Sequence, residues 1–229
     1  MLSNTLMNKD PQQIPSSRVY GGESSQDRTQ RRQQQFLDAG LVLFGTIGYR
    51  AVTVRALCKQ AGLTDRYFYE SFSDTEALLM AVYQHCLVKF QQTILEAISG
   101  LAPDADVRTL VQECLASAFT LIEDPLVTRV SWLEVLGVSP RVDQFYTQSV
   151  RQLAGVLLGI LRSKYPTWKI EDAEGEILTI ALLGAVGQTA IGWMLSGYAT
   201  NRETILSAMF SVFLGLITLV EASQHSDAS

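Results

Sequence analysis

Residue types that carry nucleophilic or metal chemistry are sparse in this chain, and their spacing argues against either use. Cys58, Cys86 and Cys114 recur at 28-residue intervals with no C-x-x-C pair, so neither a disulfide framework nor a zinc site is indicated. His85 and His225 have no Ser, Cys or acidic neighbour at the spacing of a catalytic constellation. The sequence therefore offers no catalytic residue, no metal ligand set and no cofactor site, and an enzyme is not expected. Free thiols suit a reducing cytoplasm. What the side chains can do is recognise. Between Thr53 and Phe72, reading TVRALCKQAGLTDRYFYESF, the polar residues Thr64, Asp65, Arg66, Tyr67, Tyr69 and Glu70 crowd one short stretch. Hydroxyls, a guanidinium and phenols at that density match what the major groove of duplex DNA and its phosphates can bond.

Two helices must position those groups. Val54, Leu57, Cys58 and Ala61 recur at i, i+3, i+4 and i+7, which predicts a helix capped by Thr53, with Cys58 packing inward and Arg55 outward. Gly62 stands where the chain leaves that helix and needs a positive φ. Thr64 can cap a second helix whose inner face carries Phe68 and Phe72. This is a helix-turn-helix pattern, and residues 53–79 resemble the tetracycline-repressor (TetR) family. The shared motif is a Thr-capped helix, then A-G-L-T, F-Y-x-x-F, a polar step and E-A-L-L. The chain departs from the family pattern at Arg66 (usually Gly), Tyr67 (often small and polar), Ser71 (usually aromatic) and Thr75 (often a phosphate-binding Lys). The resemblance implies duplex DNA as partner, contacted by Thr53, Arg55, Thr64, Asp65, Arg66, Tyr67 and Tyr69. Arg28, Arg31 and Arg32, in the first turns of a preceding helix, sit where family members touch the DNA backbone. An exposed basic first turn is equally an ordinary solubility feature.

Charge supports a local interface. The chain carries a net −5, yet residues 1–75 hold 9 Lys/Arg against 7 Asp/Glu, whereas residues 76–229 hold 9 against 16. Bulk attraction for nucleic acid is excluded, and any DNA-binding surface is amino-terminal. Residues 1–26, polar and without an apolar run, read as a flexible extension. Residues 27–73 form the expected DNA-binding domain, 74–222 a ligand-binding and dimerisation domain, and 223–229 a disordered tail. Helical spacing runs throughout with no useful strand alternation, which gives an all-α chain of about nine helices. A long helix is expected from Ser73 or Asp74 to Ser99, then others over 107–122, 126–136 and from Ser139-Pro140 to about Lys164.

The segments 177–201 and 204–220 are apolar, and neither carries a charge. By length they fit a two-pass membrane protein with a cytoplasmic helical head. A stripe of Ala181, Gly184, Ala185, Gln188 and Gly192 instead fits close backbone packing, and the resemblance implies a four-helix homodimer interface to which the last helix adds Met209, Val212, Phe213 and Leu216. A reader helix this short covers a few base pairs, so specificity needs two copies about one DNA turn, ~34 Å, apart. The expectation is a cytoplasmic, dimeric, ligand-responsive transcription regulator, a repressor by family habit, with no membrane partner. Its effector is a small hydrophobic or aromatic molecule held by Tyr83, Cys86, Phe119, Trp132, Phe145 and Tyr146. Glu134, flanked by apolar residues, is either a buried carboxylate for a cationic ligand or an exposed capping acid. A further alternative is an all-α small-molecule-binding protein that does not bind DNA.

Overall fold

The computed structural model describes residues 24–102 and 104–226. Most of the expected amino-terminal extension and the last three residues of the expected tail lie outside them. Among the described residues there are nine α-helices, one 3-10 turn, one π-turn and no strand. Helix α1 (Ser25–Ile47) starts two residues before the expected Asp27, because Ser24 and Asp27 form a reciprocal capping box. A 3-10 turn (Tyr49–Ala51) leads to α2 (Val54–Ala61), where Thr53 Oγ1 accepts from the Ala56 N–H at 3.2 Å. Gly62 takes φ 67°, the left-handed conformation that a Cβ would disfavour, and turns the chain into α3 (Asp65–Ser71). Thr64 occupies the N-cap, but its hydroxyl makes no capping bond, which corrects one expectation and leaves that hydroxyl on the surface.

Helix α4 (Thr75–Ser99) follows, capped by Asp74, and packs along α5 (Val107–Ile122). The single helix expected over 126–136 is two elements: α6 (Pro125–Arg129) and a π-turn (Val130–Glu134). The wider turn sends neighbouring side chains to different partners, Trp132 to the body and Glu134 back to the 3-10 turn. Helix α7 (Pro140–Lys164) opens at Ser139 and Pro140 as expected, and packs on α8 (Asp172–Leu195). Helix α9 (Arg202–Ser226) lies on α5 and α8.

Two cores hold this together. Phe36, Phe44, Leu57, Phe68, Leu78 and Val82 are almost fully buried with Val130, Val135 and Val142 in one cluster, so the motif helices share their core with the body. Each such side chain contributes about 1.5–3 kcal/mol through burial. The second cluster joins Leu115, Phe119 and Ile122 of α5 to Ala190 and Trp193 of α8 and Met209 of α9. Helices α8 and α9 are long and apolar enough to cross a membrane, and only 28% and 17% of their apolar windows are buried inside the chain.

Candidate nucleic-acid interface and effector seam

The motif helices sit on α1 through edge-on aromatic packing, with ring centroids 5.4 Å apart for Phe36–Phe68 and 6.3 Å for Phe36–Phe72. That packing aims the other side of α3 outward. Thr64, Asp65, Arg66 and Tyr69 are exposed there, with Arg66 83% and Tyr69 62% accessible. Thr53 and Arg55 are exposed on α2, and Arg28 and Arg31 on the first turns of α1. The structure thus gathers eight of the nine expected DNA contacts on the outside of one three-helix unit. Tyr67 differs. It is half-buried against the first core, and the Arg32 guanidinium covers its ring at 4.5 Å, so that face cannot stack on a base. The substituted positions are also accounted for: Ser71 Oγ donates to the Tyr67 carbonyl at 2.9 Å, and the Thr75 hydroxyl pairs with Tyr49 OH at 3.2 Å.

Sequence reasoning placed Glu70 on the outer face and Arg32 in a basic first turn, but missed that the two pair. Arg66 Nε donates to Glu70 Oε1 at 2.9 Å, and Arg32 Nη2 lies 4.0 Å from Glu70 Oε2. The i,i+4 spacing of Arg66 and Glu70 was a readable signal. Arg32 was not, because its partners arrive through the tertiary fold.

The expected effector residues separate. Tyr83, Phe145 and Tyr146 form one aromatic group in the first core, at 6.0 and 5.7 Å from the Tyr83 ring. Phe119 packs on Trp193 at 6.0 Å and Trp132 on Phe90 at 5.7 Å in the second. Between the two groups runs a seam along α4, from Tyr83 through Cys86 to Phe90, facing the π-turn. Its titratable groups are neutral at physiological pH: burial pushes the Cys86 thiol up to about 11 and raises the Tyr83 and Tyr146 phenols. Ser131 Oγ is buried there with no hydrogen-bond partner among the described residues. Trp132 closes the seam by lying against the Gly187 backbone, where a Cβ would come within 2.6 Å of its indole nitrogen. Two open clefts lie elsewhere, one of about 400 Å³ between the 3-10 turn and the π-turn, the other of about 690 Å³ between α7 and α8.

Glu134 takes neither of the two environments its apolar flank suggested, because its carboxylate is engaged within the chain. Its Oε2 accepts the Tyr49 N–H and its Oε1 the Arg129 Nε, both at 2.7 Å, so the carboxylate ties the π-turn to the motif unit. Met209 is likewise withdrawn from the expected pairing face: it is 3% exposed in the second core and accepts from the Thr189 hydroxyl. Ala181, Gly184, Gln188 and Gly192 form an exposed row on α8, extended by Ile177 and Leu195, while Ala185 is half-buried against the second core. On α9 Val212 is exposed, and Phe213 and Leu216 are half-buried. Among the described residues no three metal-ligating side chains cluster.

With that geometry in view, comparison with known proteins is direct. The family model described as bacterial regulatory proteins, tetR family, matches residues 36–82. These span α1 from Phe36, both motif helices and the start of α4. Residues 36–82 are a tetR-family amino-terminal domain. Beyond the motif, the chain is 22% identical over 167 residues to the fatty acid metabolism regulator protein of Bacillus subtilis (strain 168), covering 72% of this chain and 84% of that one. Its fold matches the fatty acid degradation regulator FadR of Bacillus halodurans with a TM-score of 0.68 at 17% identity, over 80% and 95% of the two chains. It also matches FadR of Bacillus subtilis, solved in complex with stearoyl-CoA, with a TM-score of 0.64 at 20% identity, over 78% and 94%. The tetR family is one of transcription regulators rather than enzymes.

Proposed function

We propose that this tetR-family chain is a cytoplasmic homodimeric repressor that reads a pseudo-palindromic operator and leaves it when a long-chain acyl thioester binds. The observation that carries the reading is the outward row on α3, beside Arg28 and Arg31 of α1, on a unit whose inner face is locked by Phe36, Phe68 and Phe72. Residues 27–73 read DNA and 74–222 hold the effector and pair the subunits. Tyr69, Thr53, Arg28 and Arg31 meet phosphates, which position the protein, and Thr64, Asp65 and Arg66 face base edges. The row Ala181, Gly184, Gln188 and Gly192 on α8, with Val212 on α9, meets its two-fold mate.

The effector enters the seam between the two cores. Groups that are neutral and mostly apolar favour an aliphatic or aromatic body with an uncharged carbonyl, and a related fold has been solved with stearoyl-CoA. To move the repressor from mostly bound to mostly free, the ligand must prefer the released state by several kcal/mol, on the order of 5. Displacing Trp132 from Gly187 is a change of shape large enough to supply such a preference. The test selects duplexes with the full chain and titrates the complex with stearoyl-CoA and with coenzyme A alone. Release by the acyl form only is the expected result. Failure to select any duplex defeats the DNA reading, and a complex indifferent to acyl-CoA defeats the effector reading.

A further inference from the structure

Arg66 and Glu70 form a unit whose geometry says more about the operator than the motif does. A guanidinium can bond guanine O6 and N7 with two parallel N–H groups, but only if its fork is held at the right angle; a free arginine loses that order to rotamer entropy. Here the Glu70 carboxylate takes Arg66 Nε at 2.9 Å. With Nε engaged and the side chain 83% exposed, the two Nη groups are the ones left to offer to a base edge. Glu70 is itself steadied from behind, since Arg32 of α1 lies 4.0 Å from its second oxygen and rests on the Tyr67 ring. The order is a scaffold arginine, a carboxylate, then a presented arginine.

A carboxylate on a DNA-reading face repels phosphate, so its presence there calls for a role. Reading cytosine N4 directly is one use open to it. Two observations favour the other use: both Glu70 oxygens face guanidinium groups, and its side chain, 42% exposed, stands less far out than Arg66. We propose that Arg66 reads a guanine in each operator half-site and that Glu70, braced by Arg32, is the positioning residue that aims it. This rests on the DNA-reading function proposed above.

The experiment compares selected binding sites, affinity for unrelated duplex and salt dependence for the full chain and four variants: Arg66→Ala, Arg66→Lys, Glu70→Gln and Glu70→Ala. All four changes are on an exposed surface, and thermal unfolding verifies the fold. Wild type should select guanine at one symmetric position. Arg66→Ala and Arg66→Lys should lose on the order of 10- to 100-fold discrimination there, because neither carries the fork. Glu70→Ala should lose much of the same discrimination while binding unrelated duplex more tightly and with a steeper salt dependence, since a repelling charge is gone and a cation is freed. Glu70→Gln keeps an acceptor oxygen and should fall between. A site without an Arg66-dependent guanine overturns the inference while leaving the DNA reading intact. So does Glu70→Ala with unchanged guanine preference, or with lost preference for a cytosine instead. A wild-type chain that selects no duplex overturns both.

Discussion

Glu134 ties the motif unit to the body of the chain, and Asp74 ties the start of α4 to α7. Removing the first leaves the Tyr49 N–H and the Arg129 guanidinium, both partly buried, without their acceptor. Stranded donors of this kind cost about 1–3 kcal/mol, so Glu134→Ala should lower the urea unfolding free energy by that amount. Its operator affinity should fall with base preference unchanged, because no reading residue has moved. Asp74 accepts the Ala77 N–H at 2.6 Å at the start of α4 and pairs with Arg141 of α7 at 3.0 Å. The Ala77 bond chiefly holds its carboxyl below the ordinary 3.8, with Ser73 and Arg141 assisting. A depressed folded pKa adds stability that is present above the unfolded value and is lost as pH falls through the folded one. Asp74→Asn keeps a capping acceptor without the charge, so its stability should decline less steeply than wild type below pH 4, while Asp74→Ala should cost about 1 kcal/mol at neutral pH. Acid titrations followed by circular dichroism measure both slopes. At this scale the sequence was legible only locally. Thr53 as a cap and Arg66–Glu70 as a helical pair follow from spacing, whereas Tyr49–Glu134, 85 residues apart, and the cover of Arg32 on Tyr67 exist only after folding. For Glu134, an apolar flank was compatible with two environments, and a third one won.

Among the elements, helix beginnings were the clearest part of the sequence, since Thr53, Asp74 and Ser139 each end an interval with an oxygen acceptor and then start an apolar repeat. The π-turn was hidden, because an inserted residue leaves the apolar composition of 126–136 unchanged. Its role shows in what it touches: the motif unit through Glu134, α4 through the Phe90–Trp132 ring contact, and α8 where Trp132 lies against Gly187. π-turns inside helices concentrate at functional positions, and this one lies where an effector signal would have to pass. Adding one methyl group at Gly187 tests the closure. A Cβ 2.6 Å from the Trp132 indole nitrogen forces the ring aside, so Gly187→Ala should cost about 1–3 kcal/mol and shift tryptophan fluorescence. Pairing it with Trp132→Ala removes the clash, so the double variant should be more stable than the sum of the single losses. Strict additivity would show that the two residues do not meet.

For the whole molecule, the question is what covers α8 and α9. Both are apolar enough to span a bilayer and mostly unburied within one chain, and such a surface needs either lipid or a second copy. The exposed row on α8 favours the copy. Ile177, Ala181, Gly184, Gln188, Gly192 and Leu195 follow one another at three- or four-residue steps, putting small residues in the middle, where a crossing helix can approach closely, and large ones at the ends. The glycines of α8 also separate two kinds of defect. A Cβ at Gly187 meets Trp132 and one at Gly175 meets Leu158, so substitution there disturbs the chain's own packing. Gly184 and Gly192 have nothing within 4 Å of that position, so a larger residue is accommodated by the isolated subunit. Gly184→Arg should therefore retain helical content and unfold cooperatively, yet sediment as a monomer where wild type sediments as a dimer. In the proposed dimer it would place a guanidinium in an apolar two-fold contact, opposite its own symmetry mate. On the proposed reading one α3 covers only half of the operator, so the monomer should also bind a full palindrome hardly better than a half-site, whereas wild type should gain by orders of magnitude from holding both. Sedimentation and operator binding must change together: a Gly184→Arg chain that stays dimeric, or a monomer with undiminished preference for the palindrome, would move the pairing surface away from α8.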